Sequence, residues 1–341
     1  MAVTLQQIAE KAGVSRGTVD RALNNRGRIR PEVAENVRRI AKEMGYHANI
    51  AGRAMSIKKN LNIGVIVQSA ETPFIQEVVL GIRQAKKEVE NLGGTVTIYQ
   101  VEGMDAAQVI SIMEELHEKE YNAIALMPSE DQLLRRTIDM FVEEYSIPVV
   151  TFNADLEETK RMCFVGQDGV KGGQAAAGLM GEIVNEFGKV CVISGNEHNQ
   201  VLLGRVKGFM DEMHSRFPEI EVIGPRYTYD DNWVAERIME ENLAEHPDIK
   251  GVYLAGHGVQ GVCQCLDKKN AESRVKVVAN DIIKENIPYL KSGSINFLIG
   301  QNPQAQGLEP TMILYRLLLE GKAPEKELLY TDIEIKTRYN V

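Results

Sequence analysis

Residues 4–24 read TLQQIAEKAGVSRGTVDRALN, and the spacing of their apolar side chains decides how the rest of the chain is read. Leu5, Ile8, Ala9 and Ala12 fall at i, i+3, i+4 and i+7, one stripe of an amphipathic helix, with Thr4 and Gln7 at capping-box spacing. Gly13 follows the last periodic residue, where a helix commonly closes on a residue at positive φ. Ser15 is placed to cap a second helix from about Arg16 to Asn24. In that helix Val19, Ala22 and Leu23 turn inward and leave Arg16, Gly17, Asp20 and Arg21 on the opposite face, flanked by Thr18. Two helices joined by a three-residue turn, polar at the start of the second, have the geometry that enters a DNA major groove. Arginine offers a rigid donor fork to guanine N7 and O6, and Gly17 lets the helix come close to the groove floor. The same pattern also fits a solvated helical hairpin, so the context must decide.

The charge distribution supplies that context. The first 60 residues hold 12 Lys/Arg and 5 Asp/Glu, a balance of +7, so the overall −9 leaves −16 for residues 61–341. A basic head on an acidic body suits a polyanion-binding module whose attached domain discourages nonspecific adhesion to nucleic acid. A length of 341 residues, 44% hydrophobic, implies two or three domains with substantial cores. No run of 18 apolar residues and no basic start followed by an apolar segment occurs, which predicts a cytoplasmic protein without membrane contact. Cys163, Cys191, Cys263 and Cys265 lack the paired spacing of a zinc site and read as buried thiols.

Beyond Asn24, a polar basic loop leads to Pro31, favoured in the first turn of a helix, and Val33, Val37, Ile40, Ala41 and Met44 form a third stripe ending at Gly45. Arg26, Arg28 and Arg30 are free to approach phosphates. Residues 46–60, YHANIAGRAMSIKKN, carry no clear stripe, and Gly52 weakens any helix there by about 1 kcal/mol relative to Ala. Their composition suits either a flexible tether or a short helix that wedges an apolar side chain into a minor groove.

From Leu61 the pattern becomes short β-rich runs alternating with helical ones. Strands are expected near Ile63, Val96, Ala123 and Val149, then near Val190, Val222, Val252 and Val277. Helical crossovers make both sheets parallel, so the body is expected to be two doubly wound α/β lobes with ligand at the carboxyl ends of the strands.

The opening TLQQIAEKAGVSRGTVDRALN, the segment GYHANIAGRAM and this βα body together resemble the lactose-repressor family of bacterial transcription regulators, whose body is similar to periplasmic sugar-binding proteins of type I. The resemblance implies an all-α helix-turn-helix domain over 1–48, a hinge over 49–60 and an effector-binding and dimerisation domain over 61–341. Lobe 1 is expected at about 61–160 with a return near 282–305, and lobe 2 at about 161–281 with about 306–341. It further implies a homodimer reading a pseudopalindromic double-stranded DNA operator, a repressor controlled by a sugar or sugar derivative bound between the lobes. DNA contacts are then expected from Thr4, Ser15, Arg16, Gly17, Thr18, Arg21, Asn24 and Arg28, and from Asn49, Arg53 and Met55 of a hinge helix folding on DNA. Met55 stands where the family usually intercalates leucine, and Asp20 where a small hydroxyl residue is more usual.

A polyhydroxylated ligand needs rigid donors and acceptors with an apolar platform. Phe74 after the first strand, Asn153 and Asp155 after the fourth, Asn196 to Asn199, Arg205, Asn280, Asp281 and Gln301 are placed to supply them. By resemblance, Arg205, Asp281 and Gln301 occupy sugar-contacting positions, and Asn153 stands where an acidic residue is often found. Trp233, the only tryptophan, matches a place where an indole can lie against ligand, or else packs on the lobe. The loop AGHGVQG after Leu254 replaces the family's Asn-Asp pair, which passes that role to His257 or the Gly256 backbone. The run GQDGVKGG at 166–173 lacks the order of a phosphate loop. No nucleophile with a base, no paired catalytic carboxylates and no metal spacing is visible, so no catalytic site, metal or cofactor is expected. A solute-binding protein of a transport system with a helical extension is the alternative reading.

Overall fold

The computed structural model describes residues 5–23, 29–44, 61–197 and 199–341, apart from the side chains of Asp20 and Lys42. In the head, α1 (Leu5–Ala12), α2 (Arg16–Leu23) and α3 (Pro31–Glu43) follow the apolar stripes. The corner between α1 and α2 is built by its own chemistry. Gly13 takes φ +64°, and the amides of Val14 and Gly13 donate to the carbonyls of Ala9 (3.0 Å) and Glu10 (3.4 Å), satisfying two helix-end acceptors. Ser15 then accepts from the Thr18 amide at 3.1 Å and opens α2. Ile8, Ala9, Val19, Ala22, Val37, Ile40 and Ala41 close one small core. The expected contacts Thr4, Asn24, Arg28, Asn49, Arg53 and Met55, with the whole hinge, lie outside the described residues.

The body carries two six-stranded sheets among the described residues. The first contains β1 (Asn62–Gln68), β2 (Thr95–Val101), β3 (Ala123–Leu126), β4 (Val149–Phe152), β5 (Cys163–Gly166) and β11 (Leu328–Tyr330), in the order β2-β1-β3-β4-β5-β11. The second contains β6 (Gly188–Ser194), β7 (Ile220–Tyr227), β8 (Ile249–Leu254), β9 (Lys276–Asn280), β10 (Phe297–Gly300) and β12 (Glu334–Lys336), in the order β7-β6-β8-β9-β10-β12. Every pairing is parallel except β10 with β12. In both sheets the order reverses beside the first strand, the point where a crevice opens above the carboxyl ends. Nearly every residue of β1, β3, β4 and β8 is buried, as expected of strands covered on both faces.

Helices α4 (Pro73–Asn91), α5 (Ala106–Glu118) and α6 (Gln132–Glu143) belong to the first lobe. The second lobe has α7 (Gly169–Ile183), α8 (Gln200–Arg216), α9 (Asn232–Glu245), α10 (Val259–Lys268) and the short α11 (Ile287–Ser292). On its sheet, α9 and α10 cover one core around Met239, Val252 and Leu266, and α7 and α8 cover another around Met180, Phe209 and Tyr253. The last helix, α12 (Pro303–Glu320), returns to the first lobe, where Gln304 donates to Glu77 of α4 at 3.0 Å.

Here the structure corrects the expected division of the lobes. β5 pairs with β4 (Thr151 opposite Phe164) and so lies in the first sheet, whereas β10, inside the expected first-lobe return, pairs with β9 in the second. The first lobe's own return is α12 and β11. The reason is local: β4 and β5 are joined without a helix, so no 3.6-residue pattern separates them in the sequence. The chain thus crosses between lobes after β5, after β10 and after β11.

That β4–β5 connection is held by an ion pair. Arg161 donates Nε and Nη2 to the two carboxylate oxygens of buried Asp155 at 2.5 and 2.6 Å, Thr151 adds a bond to the same carboxylate, and Nη1 reaches Glu327 at 2.8 Å. Asp155, a candidate ligand contact by sequence, is therefore a structural group. All four cysteines are buried, and burial pushes Cys163 and Cys265 up to about 11 and Cys191 and Cys263 up to about 12. Thiolates are scarce at neutral pH under those conditions. No helix among the described residues is long and apolar enough to cross a membrane.

Candidate functional site

The head presents a solvated basic face. Arg16, Gly17 and Arg21 are exposed on α2, opposite buried Val19 and Ala22. Arg21 bends back so that Nε donates to the Gly17 carbonyl at 3.1 Å, with Nη2 alongside Gly17, 3.7 Å from where a Cβ would stand. Ser15 and Thr18 share a 2.9 Å hydroxyl contact at the helix start, so two of the residues expected to contact DNA also set where the helix begins. The first-turn amides and the two guanidinium groups make this end of α2 attractive to an anion.

In the body, a cavity of about 510 Å³ lies where the strand ends of the two sheets converge. Its first-lobe wall includes Ser69 and Phe74 after β1, Met127 and Ser129 after β3, and Asn153 after β4. Its second-lobe wall includes Asn196 after β6, Asp230 and Asn232 after β7, His257 after β8, Asp281 after β9 and Gln301 after β10. The polar residues come from strand ends because the parallel sheets aim every carboxyl end at this crevice. Phe74, Met104, Ile75 and Met127 add an apolar surface suited to the face of a sugar ring.

Arg205 is the buried hub of the polar wall, 2% exposed. Its Nε donates to Gln167 Oε1 and its Nη1 to the Ala255 carbonyl, each at 2.7 Å, while Nη2 lies 3.8 Å from Asp281 Oδ1. Helix α8 can set it there because it runs very close to α7: a Cβ on Gly173 would stand 2.0 Å from the Arg205 carbonyl oxygen. Gln301 donates to Asp281 at 2.7 Å, Gln306 of α12 donates to Gln301 Oε1 at 3.0 Å, and Asn153 donates to Gln306 at 3.0 Å. A line of hydrogen bonds therefore runs from Asn153 at the end of β4 through Gln306 and Gln301 to Asp281, and the 3.8 Å ion pair carries it on to Arg205 of α8. Gln301, and Gln167 on the far side of Arg205, sit on two of the three chain crossings. Asn153 and Asp281 hold φ of +63° and +75°, left-handed conformations that polar side chains tolerate best.

His257 is positioned by Asn232. The Asn232 amide oxygen accepts from the Gly261 N–H at 3.3 Å, which fixes the orientation of the group and turns Nδ2 toward His257 Nε2, also 3.3 Å away. Nδ2 can only donate, so the contact is a hydrogen bond in the ring form whose Nε2 is free to accept.

Of the ligand contacts expected from sequence, Phe74, Asn153, Arg205, His257, Asp281 and Gln301 share the cavity wall. Two do not. Asn280 is fully buried, donating to Tyr253 Oη (2.9 Å) and the Leu254 carbonyl (3.1 Å), and supports the wall from behind. Trp233 is 61% exposed and points away, its ring 5.0 Å from the Arg237 guanidinium. Asp231 caps α9 through the amides of Trp233 and Val234. With Asn232 turned to the cavity, the next residue lies about 100° round the helix. Sequence reasoning missed Asp230, Asn232, Asn286 and Ser129. The doublet DD before a helical run marks the cap, but nothing in it tells which carboxylate faces a ligand.

Residues 63–323 match the periplasmic binding protein domain family, and residues 4–49 match the lacI family of bacterial regulatory proteins. The ribose import binding protein RbsB of Bacillus subtilis is 24% identical over 272 residues, 80% of this chain and 86% of that protein. The ribose operon repressor of Haemophilus influenzae is 26% identical over 211 residues, 62% of this chain and 60% of that protein. Among solved structures, the glucose-galactose binding protein GanP of Geobacillus stearothermophilus superposes with a TM-score of 0.75 at 19% identity, covering 83% of this chain and 99% of that one. With its helix-turn-helix head and its two parallel-sheet lobes, the chain belongs to the lacI family of bacterial regulatory proteins, with a periplasmic binding protein domain as its body.

Proposed function

We propose that this protein is a DNA-binding transcriptional repressor that reads a pseudopalindromic operator as a homodimer and is controlled by a sugar-like effector held in the interlobe cleft. The observation that carries the reading is the union, in one chain, of a lacI-type head with outward-facing Arg16 and Arg21 and a body whose polar strand ends converge on one cavity. Arg16, Gly17 and Arg21 act as base readers, with Ser15 and Thr18 on phosphate. In the cleft, Arg205, Asp281, Gln301, Asn153 and His257 supply donors and acceptors for hydroxyl groups, and Phe74 supplies the platform.

Control follows from differential binding. Polar groups from both lobes line the cavity, so an effector bridging them binds a closed arrangement more tightly than an open one. A coupling of about 1–3 kcal/mol changes operator affinity by roughly 5- to 150-fold. The repressor of the ribose operon among the relatives supports this direction of control.

The similarity to RbsB favours a second reading, a transport solute-binding protein with a helical extension. Selection of duplexes from random pools by the full chain, with and without a panel of monosaccharides, separates the two. Enrichment of a two-fold symmetric sequence, altered by one of the sugars, is the expected result, and sedimentation with that duplex is expected to give two chains per site. A pool that stays random under every condition leaves the transport reading standing.

A further inference from the structure

The charge balance inside the cleft identifies the class of effector, an inference that rests on the sugar-effector reading above. Five carboxylates line the cavity, Glu130, Asp131, Asp230, Asp281 and Glu285, against one guanidinium, that of Arg205. Arg205 is already committed to Gln167, the Ala255 carbonyl and Asp281. Among the described residues no lysine and no second arginine lines the cavity.

The carboxylates divide into two sets. Glu130 takes a two-pronged contact from Arg135 (2.8 and 2.9 Å to Nη2), Asp131 caps α6 through the amides of Leu133 and Leu134, and Asp281 is held by Gln301 and Arg205. Asp230 and Glu285 have no hydrogen bond or ion pair with any described residue. Asp230 is fixed by its backbone: it holds φ +60°, and its carboxylate sits over Gly195, where a Cβ would come within 2.7 Å of Oδ1. Such a group can only accept while ionised, so it welcomes hydroxyl or ammonium donors and repels any ligand oxygen that bears charge. The residue is exposed to the cleft, yet the surrounding walls strip part of its hydration and push its carboxyl above the ordinary carboxylate range against the opposing pull of His257, and a donor from a ligand would replace that lost water.

We propose that the effector is a polyhydroxylated molecule without negative charge, a neutral sugar or a protonated amino sugar, and that Asp230 is the residue that excludes sugar phosphates and sugar acids. A phosphate or carboxylate placed in this cleft would shed part of its own hydration beside unpaired carboxylates, with the one guanidinium of the wall already committed to other groups.

The test is a matched panel titrated into the full chain by calorimetry: ribose, galactose and glucose, the amines galactosamine and glucosamine, and the anions ribose 5-phosphate, glucose 6-phosphate and galacturonate. A neutral or cationic member is expected to bind, with its anionic counterpart weaker by about 100-fold, the scale of one charge-assisted hydrogen bond lost and one repulsion gained. Asp230→Asn is expected to narrow that gap at least to about tenfold, whereas Asp230→Glu keeps it. Thermal denaturation of each variant confirms that the fold is retained. An anion binding within about tenfold of its neutral parent, or a gap unchanged in Asp230→Asn, overturns the inference and leaves the sugar-effector reading intact. Failure of every member to bind overturns that reading, and this one with it.

Discussion

The recognition face of the head and the recognition wall of the cleft are built on opposite plans. On α2 the arginines are solvated, and Arg21 donates within its own helix, to the Gly17 carbonyl. In the cleft, Arg205 is buried and tied to three groups before any ligand arrives. The difference follows from what each must meet. DNA brings its own dense negative charge, so the head needs only accessible cations and a correctly capped helix. A small polyol brings little binding energy per contact, so the cleft must hold its polar groups in place beforehand. Substitution of the interlocked groups of the cleft, Arg205 above all, should therefore cost stability as well as binding, and substitution of the exposed arginines of the head binding alone.

The sharpest attempt to break that contrast is Arg205→Ala. It leaves Asp281 and Gln167 facing a void, so the body should lose about 3–5 kcal/mol of stability together with effector binding, read by chemical denaturation and calorimetry. A variant of normal stability would show that the wall is not preorganised by this residue. Next in size are Arg16→Ala and Arg21→Ala, each expected to cost about 1–3 kcal/mol of discrimination for the selected duplex, with unfolding and effector affinity unchanged. A lowered melting temperature in either would erase the distinction drawn here. Ser15→Ala should cost about 1 kcal/mol through the lost cap, seen as roughly fivefold faster hydrogen exchange at the first amides of α2.

The smallest effect concerns pH. Because the folded Asp230 carboxyl titrates above its ordinary value, ionising it on raising the pH opposes folding, and the stability present below its unfolded value is lost as pH rises through the folded one. Asp230→Asn should thus melt slightly higher than the parent near neutral pH, by less than the capping effect, and the advantage should vanish at pH values below the ordinary range of aspartate. An advantage that persists in acid would mean that the amide gains a bond of its own.

Much of this architecture was legible before any coordinates. The head could be placed nearly residue by residue, since Ile8, Ala9, Val19 and Ala22 obey a helical period and Gly13 marks the one backbone position that requires positive φ. Most of the eight strands foreseen carry an apolar run set off by helical patterns on either side. β11 and β12 have three residues each, and Leu328 and Ile335 are exposed, so no run or alternation distinguishes them from loops. β5 and β10 are four-residue apolar runs, as short as β3 and β4, and nothing in such a run tells which sheet it joins. Assignment of β5 and β10 to lobes depended on pairing, a contact between distant segments that neither sequence pattern encodes. The same limit governs the cleft. Arg205, Asp281, Gln301 and His257 stand at strand ends or helix starts where polar residues are conspicuous, whereas Asp230 and Trp233 are separated by two positions of loop and helix start whose facing no periodicity predicts.

The sequence alone determined the three-helix head, the alternation of strand and helix and the opposed charges of head and body, because these are consequences of spacing and composition within a few turns of chain. Only the tertiary structure decided which strands share a sheet, that Asp155 is a structural ion-pair partner, that Trp233 faces water and that Asp230 stands unpaired in the cleft. Those outcomes depend on which distant groups meet, and a hydrogen bond or a missing counter-charge is a property of the pair, which neither residue carries by itself.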